Sequence, residues 1–475
     1  MKRIAIVGGG SAGLSAAYRA ELLRRGGSVE YTLFEHSDRL GGVIKTEVVD
    51  GCVVEGGPDS FISEKPAGTA FCRDLGLGDE LIGSNDADRK TTILIGRRRV
   101  PLPDGLQFLI PTRIVPMAFT PLFTWGTKLR FAREWFTSAP EHAEGGDESV
   151  ASFVRRHFGP EVVDRLADPL LSGIYGGNAE RLSVRAVLPR MVQMEQKHGS
   201  LIRAMLAARR DVRSHASPSA PPKPLFTSLR RGMQQMIDAA VAQLDPRCIR
   251  LNTDVRTLEF VGPGWRVHST AGVYECDGVV LALPAYAAGA LLWNVRPELA
   301  RILESVNYSS SITVVLGYDA DAVRNVDLSG FGFLVPRSQG KRLLACTFVH
   351  HKFPHRAPAN RVLLRCFIGG ENAENSMPMT DTEIVDSVGK ELREILGLSS
   401  QPLFTRVYRW RRAMAQYEVG HLKRMDEVRT LRRQLPGLAL AGNAYQGIGV
   451  PDCIRTGAEA IAELTSVPAP PVAAH

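Results

Sequence analysis

The first eighteen residues restrict the fold more than any other stretch of this chain. Lys2-Arg3-Ile4-Ala5-Ile6-Val7 is a short β-prone run, Gly8-Gly9-Gly10-Ser11-Ala12-Gly13 follows it, and Leu14-Ser15-Ala16-Ala17-Tyr18 opens an alanine-rich helix. Gly8 permits a tight turn, Gly10 lets the backbone approach a pyrophosphate, and Gly13 lets the helix pack on the strand. The free amides of the first helical turn, with the positive end of the helix dipole, then face the phosphates. A second apolar strand, Tyr31–Phe34, ends in Glu35. That acid stands about 20 residues past the glycines, where a carboxylate bonds ribose hydroxyls. Strand, glycines, helix, strand and acid in this order read as the opening of an adenine-dinucleotide fold.

Three further segments extend that reading. Arg39-Leu40-Gly41-Gly42-Val43 places an arginine able to neutralise a diphosphate before paired glycines that allow close approach. Val53 to Phe61, with Gly56-Gly57-Pro58-Asp59-Ser60 inside it, reads as a strand ending in a rigid turn that walls a flat ring. Near the other end, Leu438–Ala441 is a buried strand that runs through Gly442 to Gly449 into a helix over Ile454–Leu464. A second helix N-terminus at the cofactor stabilises negative charge on a reduced flavin. It favours a flavin over a nicotinamide.

At 475 residues the chain is long enough for two or more domains. A net charge of +8 suits a polyanionic ligand or an anionic membrane surface, and equally a basic surface kept for solubility. No long basic run or finger motif points to nucleic acid. The seven cysteines are scattered without metal-site spacing and read as buried residues of a reducing cytosol. No signal peptide is legible and no uncharged apolar run reaches about 18 residues, so the expectation is a cytoplasmic protein that nowhere spans a membrane.

The fold class expected is α/β: a Rossmann-like dinucleotide domain built from discontinuous segments, a mixed-sheet substrate domain and a helical domain. Residues 1–85, 225–290 and 430–465 form the first; 86–105 and 295–425 the second; 106–215 the third. Thr91 to Pro103 reads as a hairpin whose Arg97-Arg98-Arg99 bend either holds a carboxylated ligand or is solvated. In 106–136, aromatics interleave with cations (Trp125, Lys128, Arg130, Arg133, Trp135), which suits either a membrane interface or packing against a neighbouring domain. Pro169 to Asn178 reads as a glycine-rich break between helices, Pro140 to Gly146 as a loop, and Ser214 to Pro224 as a mobile linker.

With these residues in view, the chain resembles the oxygen-dependent porphyrinogen oxidases, which include protoporphyrinogen and coproporphyrinogen III oxidases, within the monoamine-oxidase-like flavoproteins. The narrower signals are Gly57-Pro-Asp-Ser-Phe61, Pro169-Leu-Leu-Ser-Gly-Ile-Tyr-Gly-Gly177, Lys352-Phe-Pro-His-Arg-Ala-Pro358, Leu363-Leu-Arg-Cys-Phe-Ile-Gly-Gly370 and Gly447-Ile-Gly-Val-Pro-Asp-Cys-Ile454. The resemblance runs from about Lys2 to Leu464. It implies FAD contacts at Gly8 to Gly13, Glu35, His36, Arg39, Gly42, Val43, Gly57 to Ser60, Val255, Trp410, Asn443 and Ile448 to Val450. It implies a substrate slot at Gly173 and Ile174, with the Gly173 carbonyl toward the ring N–H groups and Leu334 and Phe353 sandwiching the macrocycle. Lys65 and Lys90 would meet propionates, although relatives carry an arginine near the Lys90 position.

The implied reaction aromatises a porphyrinogen in three two-electron steps, each passing a hydride to FAD, with oxygen accepting the electrons and yielding hydrogen peroxide. No catalytic side chain or metal is called for. Whether the substrate is coproporphyrinogen III or protoporphyrinogen IX stays open, as does a homodimer. The rival readings are a flavin amine oxidase or carotenoid-type desaturase on the same fold, and a non-catalytic escort of flavoprotein shape.

Overall fold

A five-stranded, wholly parallel sheet organises the molecule, a computed structural model that describes residues 1–103, 106–107, 110–111, 113–138, 146–215 and 224–466. Its strands run in the order Ile249–Arg250, Val29–Phe34, Lys2–Val7, Gly278–Leu281, Leu438–Leu440. Ile4, Ala5, Ile6, Leu33, Val279 and Val280 are fully buried, as strands covered on both faces require. The first helix, Ser11–Arg25, and the last described helix, Val450–Thr465, lie side by side on one face. They approach so closely that a Cβ on Gly457 would overlap the Ala12 carbonyl, and the Ser15 hydroxyl donates to Ile454 O at 2.7 Å.

That last helix starts at Val450, four residues before the expected Ile454. Pro451 lies in the first turn, where a missing N–H costs no helical bond. Asp452 accepts the Gly449 N–H at 3.1 Å and caps the start.

A seven-stranded mixed sheet stands beside the first. Its order is Phe404–Ala415, Tyr308–Asp319, Arg361–Gly369, Ala345–Phe348, Gly332–Leu334, Thr91–Ile95, Arg98–Pro101. All neighbours are antiparallel except Gly332–Leu334 with Thr91–Ile95. The helix Asp381–Leu396 covers one face through Ile384, Val388 and Leu392.

Smaller sheets of two or three strands, such as Val255–Val261, Gly264–Ser269 and Gly272–Cys276, flank these two, and a helical unit runs from Ile114–Phe119 and Trp125–Glu134 to Leu201–His215. The expected break at Pro169 is instead a helix, Asp168–Tyr175, entered through a π-helical turn, Val163–Ala167. Pro169 follows directly on that π turn, where the regular hydrogen-bond ladder is already interrupted and its missing N–H is tolerated; the stop comes at Gly176, which takes the left-handed conformation (φ +59°). The Pro140–Gly146 loop and the Ser214–Pro224 linker fall mainly outside the described residues; of those described, Ser214 and His215 end a helix. Inside this unit His157 is buried between two carboxylates, Nδ1 3.2 Å from Glu134 Oε1 and Nε2 3.0 Å from Glu195 Oε1. Glu134 also accepts the Leu201 and Ile202 amides at the start of Leu201–His215. Among the described residues no helix is long and apolar enough to cross a membrane.

Candidate active site

The glycine turn crosses the carboxyl end of the parallel sheet. Gly8 has φ +103°, a value that side chains resist, and its N–H donates to Phe34 O at 2.8 Å. A Cβ on Gly13 would overlap the Gly8 carbonyl oxygen, so the first helix meets the turn in direct backbone contact. At Gly10 the reverse holds: an added Cβ would find no atom within 4 Å. The backbone there faces open space, just ahead of the amides of Ser11, Ala12 and Gly13 in the first helical turn.

Glu35 is buried and positioned by the turn it serves. Its Oε2 accepts the Gly9 N–H at 2.7 Å, and its Oε1 accepts the Ser37 N–H and hydroxyl at 2.9 and 2.8 Å. His36 is exposed, with Nδ1 2.9 Å from Glu35 Oε1. The segment before Val255 closes over this acid, since the Thr253 N–H donates to Glu35 O at 2.9 Å. The Gly41 N–H donates to Gly9 O at 2.8 Å, and a Cβ on Gly42 would stand 3.2 Å from Gly10 Cα. The paired glycines are therefore stacked on the first turn, with Val43 exposed beside them.

Arg39, expected at the diphosphate, is engaged by its own loop. Its guanidinium donates to the carbonyls of Leu40, Ile44 and Gly42, which fixes the loop that covers the turn.

The Gly56–Ser60 turn is held from the mixed sheet. The Trp410 indole N–H donates to Gly56 O at 2.8 Å, Arg365 donates to Gly57 O, and a Cβ on Gly57 would overlap the Val43 carbonyl. Lys352 Nζ lies 3.0 and 3.2 Å from the Asp59 carboxylate and 3.2 Å from Ser60 Oγ. Burial pushes the Asp59 carboxyl upward, but Lys352 and Arg365 outweigh it and hold the group well below the usual carboxylate range. Burial likewise pulls the Lys352 ammonium down, and Asp59 only partly restores it. A second ion pair, Arg356 to Glu55 at 2.6 Å, lies deeper. Lys352, Arg356 and Arg365 carried no role in the expectations. Arg365 had a readable signal, a lone cation in an apolar strand; the other two did not.

At the far side of the cradle Asn443 donates to Ala413 O at 2.9 Å, and the Tyr417 hydroxyl bonds Asn443 O at 2.9 Å and the Gly447 N–H at 2.8 Å. This sets Ile448, Gly449 and Val450 at the start of the last helix. Lys65 does not stand free toward the mouth: its ammonium is 2.6 Å from Asp452 Oδ2 in that helix's first turn. Both helix N-termini thus meet at one edge of the sheet.

Of the substrate residues, Gly173 is exposed, with Leu334 Cδ2 3.6 Å from where its Cβ would be, so these two border one opening. Lys90 is exposed, and its carbonyl accepts the Phe331 N–H at 2.8 Å beside the Leu334 strand. The Ile174 side chain lies outside the described residues. Phe353 departs from its expected place: it is 1% exposed, packed among Val53, Val315, Val349 and Leu363, and in this structure offers no free face to a second ring. Of the three bend arginines, Arg99 is tied to Asp327 at 3.0 Å, while Arg97 and Arg98 are exposed.

A family model described as flavin containing amine oxidoreductase matches residues 11–464. The chain belongs to this family. Among relatives of this flavin containing amine oxidoreductase, the coproporphyrinogen III oxidase of Bacillus subtilis is 34% identical over 97% of each chain. Protoporphyrinogen oxidase 1 of Arabidopsis thaliana, a chloroplastic protein, is 29% identical over 97% of this chain and 87% of its own. A solved structure from Exiguobacterium sp. 255-15, described as a candidate protoporphyrinogen oxidase, superposes with TM-score 0.85 at 31% identity over 98% of this chain and 99% of its own. The cofactor is FAD. The cradle fits it: an open backbone face at Gly10, an acid at the end of the second strand, and two helix N-termini converging on one edge.

Proposed function

We propose that this chain oxidises a porphyrinogen to the porphyrin in haem biosynthesis, with molecular oxygen as final acceptor and coproporphyrinogen III as preferred substrate. The observation that carries this reading is the similarity running through 97% of both this chain and the Bacillus subtilis coproporphyrinogen III oxidase. FAD, when bound, supplies the two-electron acceptor. The polypeptide holds and orients: Gly8 to Gly13 take the pyrophosphate, Glu35 with His36 the ribose, and Gly42, Val43 and Val255 close over them. Gly57 to Ser60, Trp410, Asn443 and Ile448 to Val450 set the flat ring. Gly173, in the last turn of its helix where carbonyls lack intrahelical partners, meets the macrocycle N–H groups, and Leu334 shapes the slot. Lys90, and Lys65 once released from Asp452, serve propionates. Placement of this kind contributes about 7–11 kcal/mol to a rate.

The choice of coproporphyrinogen III rests on charge, since it carries four carboxylates against two on protoporphyrinogen and the chain has a net charge of +8. Flavin-loaded protein is to be given each porphyrinogen, prepared anaerobically, and followed by porphyrin fluorescence. The expected kcat/KM ratio is about tenfold in favour of coproporphyrinogen III, equal to about 1.4 kcal/mol. Turnover of neither defeats the reading.

The same reading extends to a partner surface. Val115 and Phe119 on one short helix, and Trp125 and Leu129 one turn apart on the next, are exposed, Phe119 at 81% and Trp125 at 71%. Phe136 is exposed beyond them, and Lys128 Nζ sits 4.5 Å from the Trp125 ring. We assign this patch to an anionic membrane surface, rings at the headgroups and cations outward. Burying each large side chain is worth about 1.5–3 kcal/mol. A Phe119→Ser, Trp125→Ser, Leu129→Ser variant should therefore lose at least about tenfold in co-sedimentation with anionic liposomes. Unchanged binding removes the assignment.

A further inference from the structure

We infer that the small cavity beneath the Gly57–Ser60 turn binds one monovalent anion of the halide class. The cavity has about 10 Å3 of room, enough for one particle of roughly a water's size. Arg356 and Arg365 both line it, at 1% and 6% exposure. The Nε–H of each is buried and has no hydrogen-bond partner among the described residues. Two orphaned charged donors against one cavity are unusual, because buried donors are nearly always bonded.

The neighbouring acceptors are already spent. Glu55 takes Arg356 and the Met233 N–H on Oε1 and the Thr46 hydroxyl on Oε2. Asp59 takes Lys352 and Ser60, with Arg365 Nη1 at 3.5 Å. The other guanidinium donors go to Ser228 Oγ and Gly57 O. Charge gives an independent argument. The elements around the cavity bring Glu55, Asp59, Lys352, Arg356 and Arg365 together, two carboxylates against three cations. A buried surplus charge calls for a counter-charge. The remaining walls, Val53, Val315, Val349, Phe353 and Leu363, suit a weakly hydrated ion.

The test is anomalous diffraction at the bromine edge from crystals of the FAD-loaded protein grown in sodium bromide, joined to thermal unfolding of the same holoprotein. The expected result is a bromide peak bonded to both Nε atoms. Tm should rise and saturate in chloride or bromide but not in gluconate at equal ionic strength. Arg365→Lys should weaken halide affinity at least about tenfold. Should that variant not fold, the wild-type comparison decides alone. A water in the cavity, with equal Tm in halide and gluconate, overturns the inference and assigns the surplus to a deprotonated Lys352. A bromide peak without a halide-specific Tm shift marks an adventitious ion only, and overturns it equally.

Discussion

Gly13→Ala is expected to yield protein without flavin colour, while Gly10→Ala folds normally and binds FAD more weakly. The two substitutions add the same methyl group three residues apart and meet opposite surroundings. At Gly13 the new Cβ overlaps the Gly8 carbonyl, so either the first helix leaves the sheet or the turn shifts, and both spoil the cradle. At Gly10 it meets no protein atom, and the backbone there has an ordinary negative φ of −71°. Any cost at Gly10 therefore falls on the ligand, through lost close approach to the pyrophosphate. A weakening of at least about tenfold is expected, or about 1.4 kcal/mol. Unfolding of the apoprotein, with flavin titration by fluorescence quenching, separates the two. Equal FAD affinity for Gly10→Ala and wild type would move the pyrophosphate elsewhere.

The second large effect concerns the buried His157 cluster. Burial lowers the His157 pKa, but Glu134 and Glu195 raise it further, leaving it above the ordinary 6.5. Burial raises that of Glu195, but Arg156 and His157 bring it down to about 2. A raised imidazole contributes stability that is complete below about 6.5 and fades as pH climbs through the folded value. A depressed carboxylate contributes stability that is complete above its ordinary value near 4.5 and fades as pH falls through about 2. The cluster is therefore at full strength from about 4.5 to 6.5. His157→Phe should cost about 3–5 kcal/mol, because two buried carboxylates lose their shared cation. Denaturant unfolding across pH 5 to 9 should also lose part of its downward slope above about 6.5. A variant that keeps the wild-type slope would show that His157 is neutral in the folded protein.

Much of the cradle was legible because its chemistry is local. A turn between strand and helix and an acid at a strand end each act over a few residues. Pro169 misled the reading because a π turn just before it, which the sequence does not announce, absorbs the missing N–H within a continuous helix. What stayed hidden depends on distant pairing. Arg356 meets Glu55 across 301 residues, and Lys352 meets Asp59 across 293, so neither cation's role is readable from its own neighbourhood. Lys65 was read as free because Asp452, 387 residues away, is invisible from its own neighbourhood. Phe353 was placed against substrate by resemblance, whereas the structure buries its ring with the Lys352 and Arg356 cations 5.2 and 5.7 Å from it.

The parallel sheet has a consequence for biosynthesis. Its outer strand, Leu438–Leu440, and the helix that follows are made long after Lys2–Val7, and the Ser15 to Ile454 bond spans 439 residues. Lys2–Val7 gains both its strand partners, Val29–Phe34 and Gly278–Leu281, before residue 438 is made, but the first helix must wait for the last one to cover it. A nascent chain stalled before residue 438 therefore carries the glycine turn and Glu35 without the second helix N-terminus, and is expected to hold FAD less tightly than the finished protein.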